Sequence, residues 1–242
     1  IGSGIMPTGL GGEVMWFSAT NNPDGTNQGS YAGGDVDLDN NGGSIGDLDG
    51  TNSSFLSPGR TTQWSTPSNY TSSNPALCSI ALWFKADTVG LNGGYGGLGV
   101  IGYHGLDFGL VKINTNAELI YWDDVNNLRR GIAVGTGTRY GQGLVHIAAT
   151  YSVELNQIKY YENGVLTVTS NPATELSNLE LTNKRWSVLL EGSGGSTNAH
   201  QEDMRIYERL LSDEEVAHLA LSPNIEGGTG GTHINRTLLG VG

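Results

Sequence analysis

Apolar residues in the middle of the chain recur at every second position, and this periodicity constrains the fold more than any other feature. In residues 79–85, Ile80, Leu82 and Phe84 alternate with two further apolar residues, so both faces of the segment are apolar. Successive side chains of a β-strand point to opposite faces, and a strand that is apolar on both faces is covered from both sides. The pattern therefore predicts a central strand of a layered β-structure.

Shorter segments with the same periodicity follow along the chain. Short strands at regular spacing are typical of a sandwich or a barrel. The 38 glycines against 7 prolines indicate many turns, and no internal repeat of a propeller or solenoid is evident. The further predicted strands are Gly99–Tyr103, Phe108–Asn114, Glu118–Trp122, Leu144–Tyr151, Gln157–Glu162, Val165–Thr169, Trp186–Leu190 and Met204–Tyr207.

Two local motifs predict a tight hairpin and one short helix. Asn163 and Gly164 lie between two β-prone runs, and both residue types tolerate the positive φ angles of a type I′ turn. Ser212 is followed three positions later by Glu215, which is the pattern of a capping box at a helix start. Acidic residues in the first turn also favour the positive end of a helix.

The two ends of the chain differ in composition from the middle. Residues 1–12 and 222–242 are rich in glycine and small polar residues, whereas residues 13–221 carry nearly all the aromatic side chains. We interpret 13–221 as one domain and the flanking segments as arms that contact neighbouring molecules. The apolar arm residues assigned to assembly are Ile5, Met6, Leu10, Ile234, Leu238 and Leu239.

The charge balance excludes some partners. Twenty-four acidic residues against 12 basic ones give a formal net charge of −12, and a field of that sign repels phosphate backbones and anionic lipid. We therefore expect no nucleic-acid partner. No apolar run is long enough to span a bilayer, so no membrane insertion is expected. The single cysteine, Cys78, allows no disulfide within the chain.

Five segments follow one another in an order typical of a known family. They are Val14–Phe17, Leu48–Asn52 with Phe55, Ile80–Lys85, Val145–Tyr151 running into Tyr161–Gly164, and Glu202–Tyr207 leading into Leu211–Glu215. Together they resemble the laminin-G-like branch of the concanavalin A-like jelly rolls. The resemblance implies an all-β, antiparallel two-sheet jelly-roll sandwich of about six or seven strands per sheet. One short C-terminal helix and extended glycine-rich terminal arms complete the expected fold.

The carboxylates do not form the pattern of a β-sandwich glycosidase. Such an enzyme would place two of them at alternate positions of one strand, roughly 5 Å apart. Asp123 and Asp124 are adjacent and would face opposite sides, and the acids at 213–215 are explained by helix capping. Neither a Gly-x-Ser-x-Gly nor a His-Glu-x-x-His motif is present. We expect no catalytic activity and keep a diverged glycosidase as the least favoured alternative.

Calcium is the one cofactor that the sequence suggests, at either of two places. Asp35, Asp37 and Asp39 alternate and could supply oxygen ligands, but the glycine and glutamate of a helix-loop-helix calcium site are missing. The favoured alternative is a strand with Val36 and Leu38 on one face and the aspartates towards water.

The family resemblance implies a second calcium site at the rim of the sandwich. Calcium-binding relatives use acidic and amide oxygens there, and Asp203 also has a rival structural role as an acceptor of hydrogen bonds from backbone amides. The matching positions in this chain are Asp49, Asn52, Glu202 and Asp203.

Sugar recognition combines an aromatic face with planar polar groups. Arg129 and Arg130 follow the candidate segment, although such arginines more often solvate a sheet edge. Trp16, Trp83, Tyr151, Tyr161 and Trp186 fall on strand patterns and are assigned to the core, and His146 to a structural position. The candidate carbohydrate-binding residues, expected in or beside loops, are Trp64, Tyr95, Tyr103, Trp122, Asp123, Asp124, Asn126 and Asn127.

These observations predict a non-enzymatic structural or attachment module on a virion or cell surface, such as a decoration or fibre-type protein that binds host glycans. Its expected partners are other copies of itself, other virion or surface proteins, and glycans. Its expected location is extracellular or on a virion surface. The alternative is a carbohydrate-binding module of a larger secreted protein. Fold alone does not decide between them.

Overall fold

The computed structural model describes seventeen strands and one helix. It describes residues 10–20, 28–30, 37–38, 44–48, 50, 52–57, 64–65, 70–71, 76–86, 96–101, 108–112, 116–123, 128–136, 143–171, 182–184, 186–188 and 199–221. The strands are β1 (Met15–Phe17), β2 (Asp37–Leu38), β3 (Ser44–Asp47), β4 (Ser53–Ser57), β5 (Trp64–Ser65), β6 (Tyr70–Thr71), β7 (Leu77–Ala86), β8 (Gly96–Ile101), β9 (Phe108–Lys112), β10 (Asn116–Asp123), β11 (Leu128–Thr136), β12 (Val145–Ser152), β13 (Gln157–Glu162), β14 (Val165–Ser170), β15 (Thr182–Lys184), β16 (Trp186–Val188) and β17 (Ala199–Tyr207). Helix α1 spans Asp213–Leu219.

The strands form two large antiparallel sheets, which confirms the predicted two-sheet sandwich with one short helix. In the first sheet the order is β14-β13-β12-β7-β17-β4-β3, and β1 also pairs with β17, giving eight strands. In the second sheet the order is β11-β10-β9-β8-β16-β5-β2, giving seven. Strands β15 and β6 form a separate two-stranded ribbon. The first sheet is thus one strand larger than expected.

Strand β7 lies at the centre of the first sheet, as its two apolar faces predicted. One of its faces carries Ile80, Leu82 and Phe84, each at most 1% exposed. On the same face, Ile147 of the neighbouring strand β12 is paired with Leu82. The other face carries Ala81, which packs in a cluster with helix α1. Since α1 covers that face, the face of Ile80 is left for the second sheet, as in a sandwich.

Helix α1 and the β13–β14 hairpin have the local geometry that their sequences predicted. Ser212 Oγ accepts a hydrogen bond from the amide of Glu215, whose side chain in turn accepts one from the amide of Ser212. Asn163 and Gly164 adopt φ angles of 50° and 77° at the turn. A type I′ turn requires positive φ at both central positions, so both motifs are confirmed.

The hairpin and the helix are packed against each other. A Cβ on Gly164 would lie 2.9 Å from Ala217 Cα and 3.0 Å from the Cβ of Ala220. Beneath the helix, Val216 and Leu219 are buried in the same cluster as Tyr161 of β13. Glycine is therefore required at the turn both for its φ angle and for the close approach of α1.

Leu10 is the one predicted arm residue that the structure describes, and it packs partly buried against the cluster beneath α1 of its own chain. The sequence had assigned it to contacts with neighbouring molecules. The other five, Ile5, Met6, Ile234, Leu238 and Leu239, lie outside the described residues. Assembly through the arms stays a prediction, as do the domain boundaries at 13 and 221.

Candidate functional site

A row of buried polar side chains crosses the face of the first sheet that α1 partly covers. Glu202 of β17 lies opposite Trp83 of β7, and Trp83 lies opposite His146 of β12. Directly paired residues of an antiparallel sheet point to the same face. The structure therefore brings an acid, an indole and an imidazole into one row, with Asp203 and Arg205 following on β17.

The carboxylate of Glu202 holds the segment after β1 in place. One of its oxygens, Oε1, accepts hydrogen bonds from Ser18 Oγ at 2.5 Å and from the amide of Thr20 at 3.1 Å. The other, Oε2, accepts one from the amide of Ala19 at 2.7 Å. Thr20 in turn bonds to the backbone of Ser53 on β4. Glu202 thus ties the segment at 18–20 to β17. Thr20 links the same segment to β4, the neighbour of β17 in the first sheet.

Burial dominates the protonation of Glu202. The side chain is fully buried, and this desolvation raises the pKa of its carboxyl to about 7 although the donors of Ser18, Thr20 and Ala19 act in the opposite direction. The carboxyl therefore changes its protonation near neutral pH, where an exposed glutamate is fully ionised.

A second buried network surrounds Arg205. Its Nε donates to Asp203 Oδ1 at 3.0 Å, and its Nη1 lies 3.5 Å from Glu13 Oε1. The guanidinium stacks on the ring of Trp16 at 4.3 Å, and the Trp16 indole donates to Asp203 Oδ1 at 2.6 Å. Tyr207 donates to Glu13 at 3.1 Å. Two carboxylates and one cation are therefore enclosed together, an arrangement in which each charge needs its partner.

Backbone geometry places Asp203 within this network. Asp203 has a φ of 52°, and the pairing of β17 with β7 shifts register between Glu202 and Arg205. A bulge of this kind redirects side chains on the bulged strand. Burial lowers the pKa of the Arg205 guanidinium, but the adjacent Asp203 carboxylate raises it by more. The net pKa is therefore raised, and Arg205 stays cationic.

His146 has the structural position that the sequence assigned to it. Its ring packs edge-on against Trp83 at a centroid distance of 5.2 Å. Burial, and after it the charge of Arg205, lowers the pKa of the imidazole to about 3. Among the described residues neither His146 Nδ1 nor Trp83 Nε1 has a hydrogen-bond partner. The imidazole of His146 is therefore neutral near pH 7 and enclosed within the sheet face.

The structure places part of the predicted rim calcium site. Glu202 and Asp203 are adjacent on β17 and both accept hydrogen bonds from donors of the chain itself. Asn52 is buried at the start of β4, whereas Asp49 lies outside the described residues. In the part of the chain that the structure describes, no three His, Cys, Asp or Glu side chains converge as a metal site. Calcium at this rim stays a prediction.

The acidic segment at 35–39 contains a short strand. Asp37 and Leu38 form β2 and pair with Ser65 and Trp64 of β5 at one edge of the second sheet. A strand is therefore present at these two residues, and the direction in which the aspartates face stays a prediction. Asp35 and Asp39 lie outside the described residues.

The candidate sugar-binding residues that the structure describes lie on the second sheet. Trp122 and Asp123 close β10, where Trp122 is paired with Arg129 of β11. They lie in the strand itself rather than in a loop, and Trp64 lies in β5. Strand β11 is an edge of its sheet, consistent with the edge position suggested for the two arginines. Tyr95, Tyr103, Asp124, Asn126 and Asn127 lie outside the described residues.

Trp64 and Trp122 do not belong to one binding site for a single sugar ring. Strands β5 and β10 are four positions apart in the sheet order. At roughly 4.8 Å per strand, their backbones are separated by about 19 Å. The β10–β11 hairpin, by contrast, pairs Trp122 with Arg129, so these two residues share one face of the sheet, while Asp123 follows on the other face at the end of β10. We refer to Trp122 and Arg129 as the hairpin site.

Sequence reasoning missed the importance of Arg205, Glu13 and Ser18. One signal could have indicated Arg205, namely its position inside the otherwise apolar run Met204–Tyr207. A charged residue on a buried strand requires a buried partner of opposite charge. Glu13 lies more than 180 residues along the chain from Tyr207, which donates to it. Ser18 lies more than 180 residues from Glu202. No local pattern points to either residue.

The sandwich, with its helix seated on one face, defines a lectin-like jelly-roll domain. No helix among the described residues is long and apolar enough to cross a membrane. Residues 58–217 match the laminin G-like family described as the concanavalin A-like lectin/glucanases superfamily. The chain belongs to this family, as its sequence motifs predicted. No curated relative matches the chain.

Solved structures with a similar fold include binding domains of botulinum neurotoxins. The binding domain of serotype D has a TM-score of 0.63 at 13% identity, covering 86% of this chain and 51% of that one. The serotype D domain in complex with N-acetylneuraminic acid has a TM-score of 0.61 at 13% identity, covering 86% and 50%. The neurotoxin DC domain in complex with rat synaptotagmin II has a TM-score of 0.64 at 14% identity, covering 86% and 51%. The chain spans about half the length of these domains, and at such identities the likeness shows the fold.

Proposed function

We propose that the protein is a non-catalytic attachment module that binds glycans at an extracellular or virion surface. The observation that carries the proposal is the hairpin site, where Trp122 of β10 is paired with Arg129 of β11. An aromatic face stacks on the C–H surface of a sugar ring, while a guanidinium group bonds to hydroxyls and acids. These are the groups from which carbohydrate sites are built.

The comparisons support a binding role of this kind. The family is one of lectins and glucanases, and two of the neurotoxin binding domains of similar fold form complexes with N-acetylneuraminic acid and with SialylT. The described carboxylates that are buried, Glu13, Glu202 and Asp203, are bound to donors of the fold itself. These contacts support a role for the three carboxylates in holding the sheet together.

A glycan array with matched variants tests the proposal. Trp122→Ala is expected to weaken glycan binding by about 1 to 3 kcal/mol, by analogy with base stacking, which is roughly 5- to 150-fold in affinity. Trp64→Ala, four strands away, is the control and is expected to leave affinity unchanged. Equal effects of the two substitutions would contradict the hairpin site, and no binding across sialylated and neutral glycans would contradict the function.

A second candidate is a carbohydrate-binding module of a larger secreted protein. It is favoured by the similar structures, which are binding domains of toxins. The same hairpin site would then recognise a polysaccharide. Arrays that contain both cell-surface glycans and polysaccharides separate the two candidates, because the attachment role requires binding to the former.

A further inference from the structure

Five large apolar side chains are exposed among the described side chains of the first sheet and the segments beside it. Four of the five lie around one edge strand, β14. They are Leu155 (56% exposed), Val165 (48%), Leu166 (38%) and Leu221 (61%) around β14, and Ile45 (37%) on β3 at the opposite edge. Single exposed apolar residues are common, but a group along one edge strand indicates an interaction surface.

Contacts at both ends of β14 bring these residues to the same edge. At its start, Val165 and Leu166 follow Gly164, which packs on Ala217 and Ala220 of the helix, and Leu221 is the next residue after Ala220. At the other end, Gln157 donates to Asn171 at 3.4 Å. Gln157 directly follows the turn between β12 and β13 that carries Leu155, so this turn lies at the same end of β14 as Asn171.

Among the described residues, strand β14 is a sheet edge that lacks two of the usual protections, charged residues and prolines. It pairs with β13 on one side, and the sheet order ends there. Edge strands normally carry charged residues, prolines or bulges that disfavour pairing with another chain. The six residues Val-Leu-Thr-Val-Thr-Ser contain neither a charge nor a proline, and the only irregularity in the pairing lies near the turn, at Tyr160 and Tyr161. By contrast, β3 at the opposite edge is shorter and ends in Asp47.

We propose that β14 is the pairing strand of a two-fold dimer, in which the β14 strands of two copies join antiparallel and extend the first sheets into one. Two copies of a chain with net charge −12 repel each other wherever charged surfaces meet. The uncharged β14 is a strip along which they can approach. An antiparallel pair of identical strands is self-complementary, as a closed two-fold interface requires.

The side chains of β14 also favour a second copy over a different protein. Selection of a foreign partner relies on charges or specific pockets, whereas β14 offers aliphatic groups, hydroxyls and backbone donors and acceptors. In an antiparallel pair centred on the strand, Val165 lies opposite Ser170 and Thr167 opposite Val168, so aliphatic groups and hydroxyls meet and no charges do. The inference concerns assembly and does not depend on the proposed glycan binding.

Light scattering of the full chain over a range of concentrations tests the dimer. We expect the mass to rise towards twice the 25.5 kDa of one chain. Val165→Lys places a lysine, the residue with which natural edge strands disfavour pairing, at each end of the strand pair and is expected to raise the dissociation constant at least tenfold. Thr169→Lys, at a second exposed position of β14, is expected to act in the same direction. Circular dichroism and thermal melting confirm that each variant is folded.

Ile45→Lys is the matched control, since it places the same charge at an exposed apolar position on the opposite edge. It is expected to leave the dissociation constant unchanged. If it dissociates the protein as strongly as Val165→Lys, pairing is head-to-tail between the two edges and the two-fold dimer is wrong. A monomer at every concentration, or a dimer indifferent to both β14 variants, also overturns the proposal. Hydrogen exchange adds a direct readout, because β14 amides gain protection on dimerisation only if the strands pair.

Discussion

Gly164 gives the sharpest test of how the helix is seated on the sheet. Replacing it with alanine has two separable effects. Its φ of 77° lies in the left-handed region, where a residue with a Cβ costs about 1 to 2 kcal/mol. The new Cβ would also lie 2.9 Å from Ala217 Cα, and overpacking of this kind costs typically about 1 to 3 kcal/mol. Gly164→Ala is therefore expected to lower the free energy of unfolding by about 2 to 5 kcal/mol.

Gly143→Ala is the matched control for the backbone effect alone. Gly143 has a φ of 80°, and nothing lies within 4 Å of its hypothetical Cβ. Urea unfolding of both variants, followed by circular dichroism, should show about 1 to 2 kcal/mol for Gly143→Ala and a clearly larger loss for Gly164→Ala. Equal losses would refute the reasoning, because they would mean that α1 does not press on the turn.

Three further predictions concern buried charge, protonation and helix capping. Arg205→Met should lower the free energy of unfolding by about 3 to 5 kcal/mol in urea, since it leaves Asp203 buried without its cation; a loss below 1 kcal/mol would contradict the network. Because the folded-state pKa of Glu202, about 7, is raised above its ordinary 4.5, its contribution to stability is present below pH 4.5 and is lost as the pH rises through 7. Glu202→Gln should therefore gain stability relative to the wild type as the pH rises from 5 to 8, and a pH-independent difference would exclude this assignment. Ser212→Ala should lower the melting temperature through a loss of about 1 kcal/mol, and an unchanged melting temperature would mean that the capping box does not contribute.

Local motifs made the helix and the β13–β14 hairpin predictable. The capping box at Ser212 and the Asn163–Gly164 turn depend on residues at most three positions apart, so their geometry follows from the sequence nearby. Strand β11 was not predicted, because the two arginines and two glycines of Leu128–Thr136 break the apolar alternation. It forms because β10 supplies a full row of backbone partners, and tertiary context of this kind overrides propensity.

The start of β17 shows why the candidate rim site was only partly predictable. Strand β17 begins at Ala199, whereas the prediction began it at Met204. The earlier start was missed because residues 200–203 are polar and show no apolar face. The family resemblance assigned Glu202 and Asp203 to a calcium site, which stays a prediction. Their partners come from β1 and the segment after it, more than 180 residues away. A single sequence reveals that a buried acid needs donors but not where those donors lie.

The two proposals make a joint prediction, because the relevant edges of the two sheets lie side by side. Strand β11, which carries Arg129 of the hairpin site, comes within 8 Å of β14 between Cα atoms. A dimer paired through β14 would hold two β11 strands on the same side of the assembly, and two linked sites bind a glycan-coated surface more tightly than either alone. Val165→Lys should then weaken binding to a densely coated surface by tenfold or more while leaving affinity for a free monovalent glycan unchanged. If binding to the surface falls only in proportion to the monovalent affinity, the two sites do not act together.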